Sequence, residues 1–355
     1  MILKFVRLLF FPFSLLYGLA VIIRNALYHL GWLPSTAFQL PVIVVGNLAV
    51  GGSGKSPMTE YLVRLFKSEY RLAVLSRGYG RKSKGFRLVK VDDMVALTGD
   101  EPLQFKQHFP DITIAVCENR VNGVERLKID HELIVLDDAF QHRALSPSFQ
   151  ILLFDFASLK KLNWLLPTGN LREPMWAKNR ADIIVVTKSP KGLSAAQKLQ
   201  IRKQLKPKAH QALFFSYLKY GALKTINGSE NRNLADLNSQ SQVLLLTGIA
   251  NAKPLLHELN GYTQHITHWE YPDHYAYTAK DMAKMKAEFE QIPGMDKLII
   301  TTEKDAQRLI APEIASLLSG LPLYQLPVEA EFEEPDKEDF DHLLKQHVRE
   351  HTNHH

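Results

Sequence analysis

Four short stretches of this chain bring together residue types that can hold and move a phosphoryl group. The first is Pro41–Pro57, PVIVVGNLAVGGSGKSP. Glycines at 51, 52 and 54 let backbone N–H groups turn inward around a polyphosphate. Lys55 reaches the outer phosphates, and the Ser56 hydroxyl suits Mg²⁺. The expected nucleotide-binding set is therefore Ala49, Val50, Gly51, Gly52, Ser53, Gly54, Lys55 and Ser56, with alanine where the G-x-x-x-x-G-K-[ST] pattern starts on glycine. The second stretch is Asp137-Asp138, carried by the apolar run Ile134–Leu136, which would deliver carboxylates to Mg²⁺ or its waters. Phe140-Gln141-His142-Arg143 extends the same loop.

The third is Gly99-Asp100-Glu101-Pro102. Asp100 could take the proton of a hydroxyl attacking a γ-phosphate, or it could cap the helix that follows. In the fourth, Arg172-Glu173, the arginine could neutralise transferring charge while the glutamate reaches the metal; the alternative is a surface ion pair. Tyr271-Pro272-Asp273-His274-Tyr275 adds a histidine that could assist a base across an interdomain cleft. Guanine readers place an aspartate soon after a lysine at a strand end. Here Val186-Thr187-Lys188 continues into Ser189-Pro190, which favours ATP over GTP.

These residues need elements to position them. Val42–Val45 reads as a buried strand feeding the glycine loop, and Met58–Phe66 as the helix behind it. Leu72–Leu75, Thr113–Val116, Leu133–Leu136, Ile151–Phe154 and Ile183–Thr187 are further short apolar strands. Strands alternating with helical stretches imply an α/β fold of P-loop NTPase type. Its sheet is doubly wound and mostly parallel, with sites beyond the carboxyl ends of the strands. Ala212–Tyr217 and Ala222–Ile226 read as a β-hairpin linker. Val243–Thr247, Ile266–Trp269, Lys297–Thr301 and Leu323–Leu326 then build a second, smaller α/β domain closing on a helix at Phe340–Val348. The expected boundaries are 1–32 for an N-terminal helix, 33–205 for the core, 206–232 for the linker, 233–349 for the smaller domain and 350–355 for a disordered tail.

The 355 residues carry a net charge of +6, unevenly spread. Residues 1–90 hold 13 Lys/Arg against Glu60 and Glu69, whereas the remainder holds 30 basic and 35 acidic residues. Such a bias suits an anionic partner. The uncharged run Leu8–Ile23, flanked by Lys4, Arg7 and Arg24, falls short of the ~20 residues a helix needs to span a bilayer. It reads as an interfacial anchor, with a true span or a signal peptide as rivals. Nucleic acid is disfavoured, because the basic residues border aliphatic surface and not stacking aromatics. The single cysteine, Cys117, excludes an internal disulfide framework and fits a reducing compartment.

Taken in order, the motifs closely resemble the tetraacyldisaccharide 4′-kinase (LpxK) family. The resemblance rests on the N-terminal hydrophobic helix, VVGNLAVGGSGKSP, LSRGYGRKSKG, TGDEP, VLDDAFQHR, LLPTGNLREP, LLLTGIANAKP, YPDHYAYT and TTEKDAQRL. Departures are Ala139 for glycine, serine for threonine at 53 and 56, and Asn170 for proline. The resemblance implies transfer of the γ-phosphate of ATP, with Mg²⁺, to the 4′-hydroxyl of a tetraacylated glucosamine disaccharide 1-phosphate at the cytoplasmic face of the inner membrane, giving lipid IVA. It implies Asp100 as base assisted by His274, Lys55 and Arg172 on transferring charge, and Ser56, Glu173, Asp137 and Asp138 around the metal. Arg77, Arg81 and Arg120 become candidates for the substrate's 1-phosphate or the nucleotide, and His142 for the substrate side. The implied partner is a membrane glycolipid on an anionic surface; no obligatory protein partner is evident, and a monomer is expected. A switch ATPase of the ParA/MinD type is the rival, but those carry a lysine where Val50 stands.

Overall fold

The computed structural model describes residues 9–160, 164–226, 230–273, 275–310 and 312–353. It divides into two compact units, Met1–Leu218 with Ala330–His355, and Lys219–Glu329.

Among the described residues the first unit is built on one sheet of nine strands. Seven of them run parallel: β1 (Val42–Asn47), β2 (Leu72–Ser76), β3 (Thr113–Val116), β4 (Leu133–Asp137), β5 (Phe149–Asp155), β6 (Ile183–Thr187) and β7 (Ala212–Tyr220). With β8 (Val328–Phe332) and the two-residue strand Arg87–Leu88 at the edges, the spatial order is β8-β7-β6-β5-β1-β4-β2-β3-Arg87–Leu88. The strands are short, apolar and buried on both faces, which is why they read as continuous hydrophobic runs. Ile43 and Val45 of β1 enter one core, Val42 and Val44 the other, as a period of two requires.

Helices α2 (Lys55–Phe66), α3 (Asp100–His108) and α6 (Asp336–Asn353) cover the Ile43 face. Helices α4 (Arg120–Leu127) and α5 (Ala195–Leu205) cover the other, and α1 (Phe11–His29) precedes the whole sheet. The chain moves outward from β1 through β2 to β3, returns to β4 beside β1, then crosses to β5 on the other side. The strand order reverses at β1, so its carboxyl end is where a crevice opens in such a sheet.

The second unit has its own sheet of five described strands, ordered Lys224–Thr225, Leu323–Leu326, Lys297–Thr302, Gln242–Thr247 and Ile266–Glu270. All but Lys224–Thr225 are parallel.

Three expectations change here, one being that residues 350–353, expected in a disordered tail, are the end of helix α6. The linker strands both form, but β7 pairs with β6 while Lys224–Thr225 pairs with Leu323–Leu326, so they join different sheets and make no hairpin with each other. The last helix, expected in the smaller domain, belongs to the first unit. Phe340, Leu344 and Val348 sit four residues apart on one face of α6 and are fully buried in the core that holds Met58, Leu62 and Phe66 of α2.

Candidate active site

The loop after β1 carries φ of +107° at Gly51 and +81° at Gly54, left-handed values that favour glycine. Gly54 caps α2, so the first amides of that helix and Lys55 face the loop's hollow. Ser53 is buried, and its Oγ has no partner among the described residues. An orphaned hydroxyl in a cradle of backbone donors at a helix N-terminus fits a polyphosphate.

The cradle is braced from two strands away. Thr187, at the end of β6, donates from Oγ1 to Ser53 O at 2.8 Å. Lys188 has φ +55° and donates to Gly52 O while pairing with Asp155 at 3.3 Å. Sequence reasoning used this Thr-Lys pair only to choose between nucleotides. Its structural role carried no local signal, because 134 residues separate Thr187 from Ser53. Asn47 adds a second brace, donating to Ala49 O at 2.6 Å.

The Ser56 hydroxyl donates to Glu101 Oε1 at 2.9 Å, which brings the start of α3 against the start of α2. Asp100 is the first residue of α3 and is buried; Gly99, not Asp100, holds the capping position. Gly99 has φ +91°, and a Cβ there would stand 2.9 Å from Tyr79 O, so only glycine lets the two loops close behind Asp100.

Asp137 is fully buried at the end of β4 and accepts from Thr59 and Ser76, each at 3.3 Å. Asp138 is the meeting point of two cations. Arg172 Nη1 donates to both its oxygens at 3.2 Å, and Lys55 Nζ lies 3.8 Å from Oδ2. Arg172 is brought there by its backbone, which bonds Leu48 O at 2.7 Å, while Val50 N bonds Asn170 O at 2.8 Å. Among the described residues no three His, Cys, Asp or Glu side chains converge on a metal position. The oxygens of Ser56, Asp137 and Asp138 are nonetheless hard donors of the kind Mg²⁺ takes when phosphates and water complete its shell.

Glu173 does not join that set. It is fully buried, and its two oxygens are taken by Arg24 at 2.6 Å and Arg180 at 2.7 Å. A doubly paired carboxylate is satisfied where it stands, so in this arrangement Glu173 ties Arg24 and Arg180 together. The Arg24 guanidinium was not legible beforehand, since it is 149 residues away.

The substrate-side candidates divide as well. Arg81 pairs with Glu118 at 2.7 Å and donates to Gly85 O at 2.6 Å, while its Nε is buried without a partner among the described residues. Arg120 and His142 are coupled to Arg77 through charge. Burial pushes Arg120 down to about 10, opposed by the carboxylates of Asp137 and Asp138, so it stays a cation. Burial, then the Arg120 and Arg77 guanidiniums, push His142 down to about 4 and keep it neutral near pH 7. Arg120 Nε and His142 Nε2 are both buried without a partner among the described residues. That cluster suits an anion. His274 lies outside the described residues, as do Lys4, Arg7, His354 and His355.

Residues 6–349 match the family described as tetraacyldisaccharide-1-P 4′-kinase, LpxK. A tetraacyldisaccharide 4′-kinase of Phocaeicola vulgatus is 42% identical over 348 residues, covering 96% of this chain and 95% of that protein. One from Flavobacterium johnsoniae is 42% identical over 347 residues, covering 97% and 98%. A crystal structure of LpxK from Aquifex aeolicus in complex with ATP superposes with a TM-score of 0.72 at 29% identity, over 97% of this chain and 99% of the other.

Proposed function

The chain belongs to the tetraacyldisaccharide-1-P 4′-kinase family, and from that premise we propose how its first unit performs the transfer. The protein is a kinase of lipid A biosynthesis that moves the γ-phosphate of ATP to the 4′-hydroxyl of tetraacyldisaccharide 1-phosphate. The observation that carries the assignment of roles is the contact between Ser56 and Glu101. It sets the phosphate cradle of α2 and the carboxylate of Asp100 at adjoining helix starts, a donor site beside a base.

In this reading the amides of residues 51–56 and Lys55 hold the β- and γ-phosphates. Asp100 accepts the proton of the 4′-hydroxyl as that oxygen attacks. Asp138 aligns Lys55 and Arg172, and the Arg172 guanidinium neutralises charge on the transferring group. Mg²⁺, held by Ser56 with Asp137 and Asp138 nearby, supplies further neutralisation of the phosphates when bound. Arg77, Arg120 and His142 form the anion-binding cluster, and a phosphate of the nucleotide or of the acceptor is its ligand class.

Helix α1 supports a membrane-bound location. It is 19 residues long, its buried stripe is Ser14, Gly18, Val21 and Asn25, and its outward residues are large and apolar. Phe13, Leu16, Leu19 and Ile23 are between 50% and 65% exposed, an arrangement suited to lipid and not to water. We place that helix on the cytoplasmic face of the inner membrane, where ATP and the acceptor meet, with the protein acting as a monomer.

The test is transfer of labelled γ-phosphate from ATP-Mg²⁺ to the acceptor in detergent micelles, with Lys55→Ala as the blank. Labelled lipid that vanishes in the blank, together with a drop in kcat of about 10²-fold or more in Asp100→Asn, is the expected result. Label released only as free phosphate would mean a switch ATPase and would leave Asp100 without its role.

A further inference from the structure

The inward face of α1 does more than seat the helix. It grips the segment that ends in Arg172. Ser14 Oγ donates to Thr168 Oγ1 at 2.7 Å and accepts from Thr168 N at 3.0 Å. Phe11 meets the Trp164 ring edge-on at 5.0 Å between centroids. Tyr17 donates from its hydroxyl to Arg172 O at 2.9 Å, and Arg24 pairs with Glu173 at 2.6 Å.

The other side of that segment is the entrance to the phosphate cradle. Arg172 N bonds Leu48 O, Val50 N bonds Asn170 O, and Leu171 bridges Ala49. One layer of chain therefore separates α1 from the cradle; within it Arg172 meets Asp138 and Glu173 is fully buried. Glu173 fixes the layer's position because it is fully buried and tied from both sides. Arg180 holds it to the body of the unit, donating also to Phe140 O at 3.2 Å with its guanidinium over the Phe140 ring. Arg24 holds it to α1. Phe140 lies two residues beyond Asp138, so this clamp spans α1, the Arg172 segment and the loop carrying the carboxylate that Arg172 meets.

We propose that Arg24 is a positioning residue for phosphoryl transfer: through Glu173 it makes the seating of α1 part of the geometry that presents Arg172 to Asp138. Helix α1 is then both the membrane contact and a structural member of the active site. This inference rests on the role given to Arg172 above.

The experiment compares Arg24→Met, Arg24→Lys, Arg172→Met and the double variant Arg24→Met/Arg172→Met, all full-length, in mixed micelles at varied acceptor surface concentration. Arg24→Met is expected to lower kcat by about 10-fold or more with the KM for ATP within about two-fold of the parent, and Arg24→Lys to recover much of that loss. In the double variant kcat should match that of Arg172→Met within about two-fold, because a residue that acts through another adds nothing once the other is gone. Losses that multiply in the double variant would overturn the coupling. So would an Arg24→Met enzyme whose kcat is intact and whose acceptor KM alone rises, which is the behaviour of a plain anchor. Full kcat in Arg172→Met would instead remove the role given to Arg172, and this inference with it. If Arg24→Met does not fold, Tyr17→Phe replaces it. That change deletes only the hydroxyl on Arg172 O, and its expected loss of about 2–5-fold must likewise disappear in the Arg172→Met background.

Discussion

The helices at the two ends of the described chain, α1 and α6, are of nearly equal length and belong to the same unit, yet they face opposite ways. Helix α6 buries Phe340, Leu344 and Val348 and turns its charged residues to solvent. Helix α1 buries Ser14, Gly18, Val21 and Asn25 and turns Phe13, Leu15, Leu16, Leu19, Ile22 and Ile23 out. A water-facing helix follows the first rule because apolar area stabilises only when it leaves water. The inverted helix obeys the same rule in a different solvent. Small and polar residues pack against the protein, where close approach and hydrogen bonds count, and large apolar ones meet lipid. Direction of amphipathicity, and not hydrophobicity alone, separates a core helix from a membrane-facing one.

The comparison breaks most readily at Phe340. Its ring stacks on Phe332 at 4.4 Å and meets Phe214 at 5.3 Å, so Phe340→Ala should destabilise the first unit by about 3–5 kcal/mol. Thermal unfolding in detergent reads this directly, and an unchanged melting point would deny α6 its place in the core. The matching change on α1, Leu16→Asp with Leu19→Asp, should leave the melting point nearly where it was. It should weaken binding to anionic vesicles by about 100-fold or more, since each leucine is worth about 1.5–3 kcal/mol in transfer. A large fall in stability with vesicle binding intact would mean that α1 is an ordinary core helix.

A smaller effect sharpens the contrast from α1's inner side. A Cβ on Gly18 would stand 2.8 Å from Leu165 Cδ1, so Gly18→Val should cost about 1–3 kcal/mol through overpacking while vesicle binding survives. The smallest effect is a pH dependence on α6. Burial pushes His347 down to about 4, with the His351 charge acting in the same direction. The folded protein thus resists a proton that the unfolded chain takes near 6.5, so stability is full above about pH 6.5 and is lost as pH falls towards 4. Substituting His347→Gln should flatten part of that decline in denaturant titrations at pH 7 and pH 4.5. An unaltered slope would assign the acid sensitivity elsewhere, His142 being the next buried histidine shifted the same way.

Much of the fold and the heart of the site were open to reading from the amino acids. Strands β1 to β6 are runs of four to seven mostly apolar residues; the glycine loop, Lys55 and Ser56 come after β1, and Asp137 ends β4 with Asp138 next. Each of these signals lies within a few residues of the element it marks. Alternation along a strand and φ preferences at a glycine are local physics.

What only the tertiary structure decided lies in pairs far apart along the chain. Glu173 beside Arg172 looked equally suited to a metal, and only folding put Arg24, 149 residues away, on one of its oxygens. Arg81 carried the same charge as Arg120, but Glu118 claimed it. Thr187 and Lys188 became the brace of the phosphate cradle because β6 ends beside it, not because of any motif. The final helix joined the first unit because the core around Phe332 and Phe214 had room for Phe340. The sequence by itself determined which segments fold and which loop turns on glycines at a helix start, since hydrogen-bonding geometry and burial periodicity act between near neighbours. The partner of a buried charge, and the side of a helix that meets lipid, are settled only when distant segments meet.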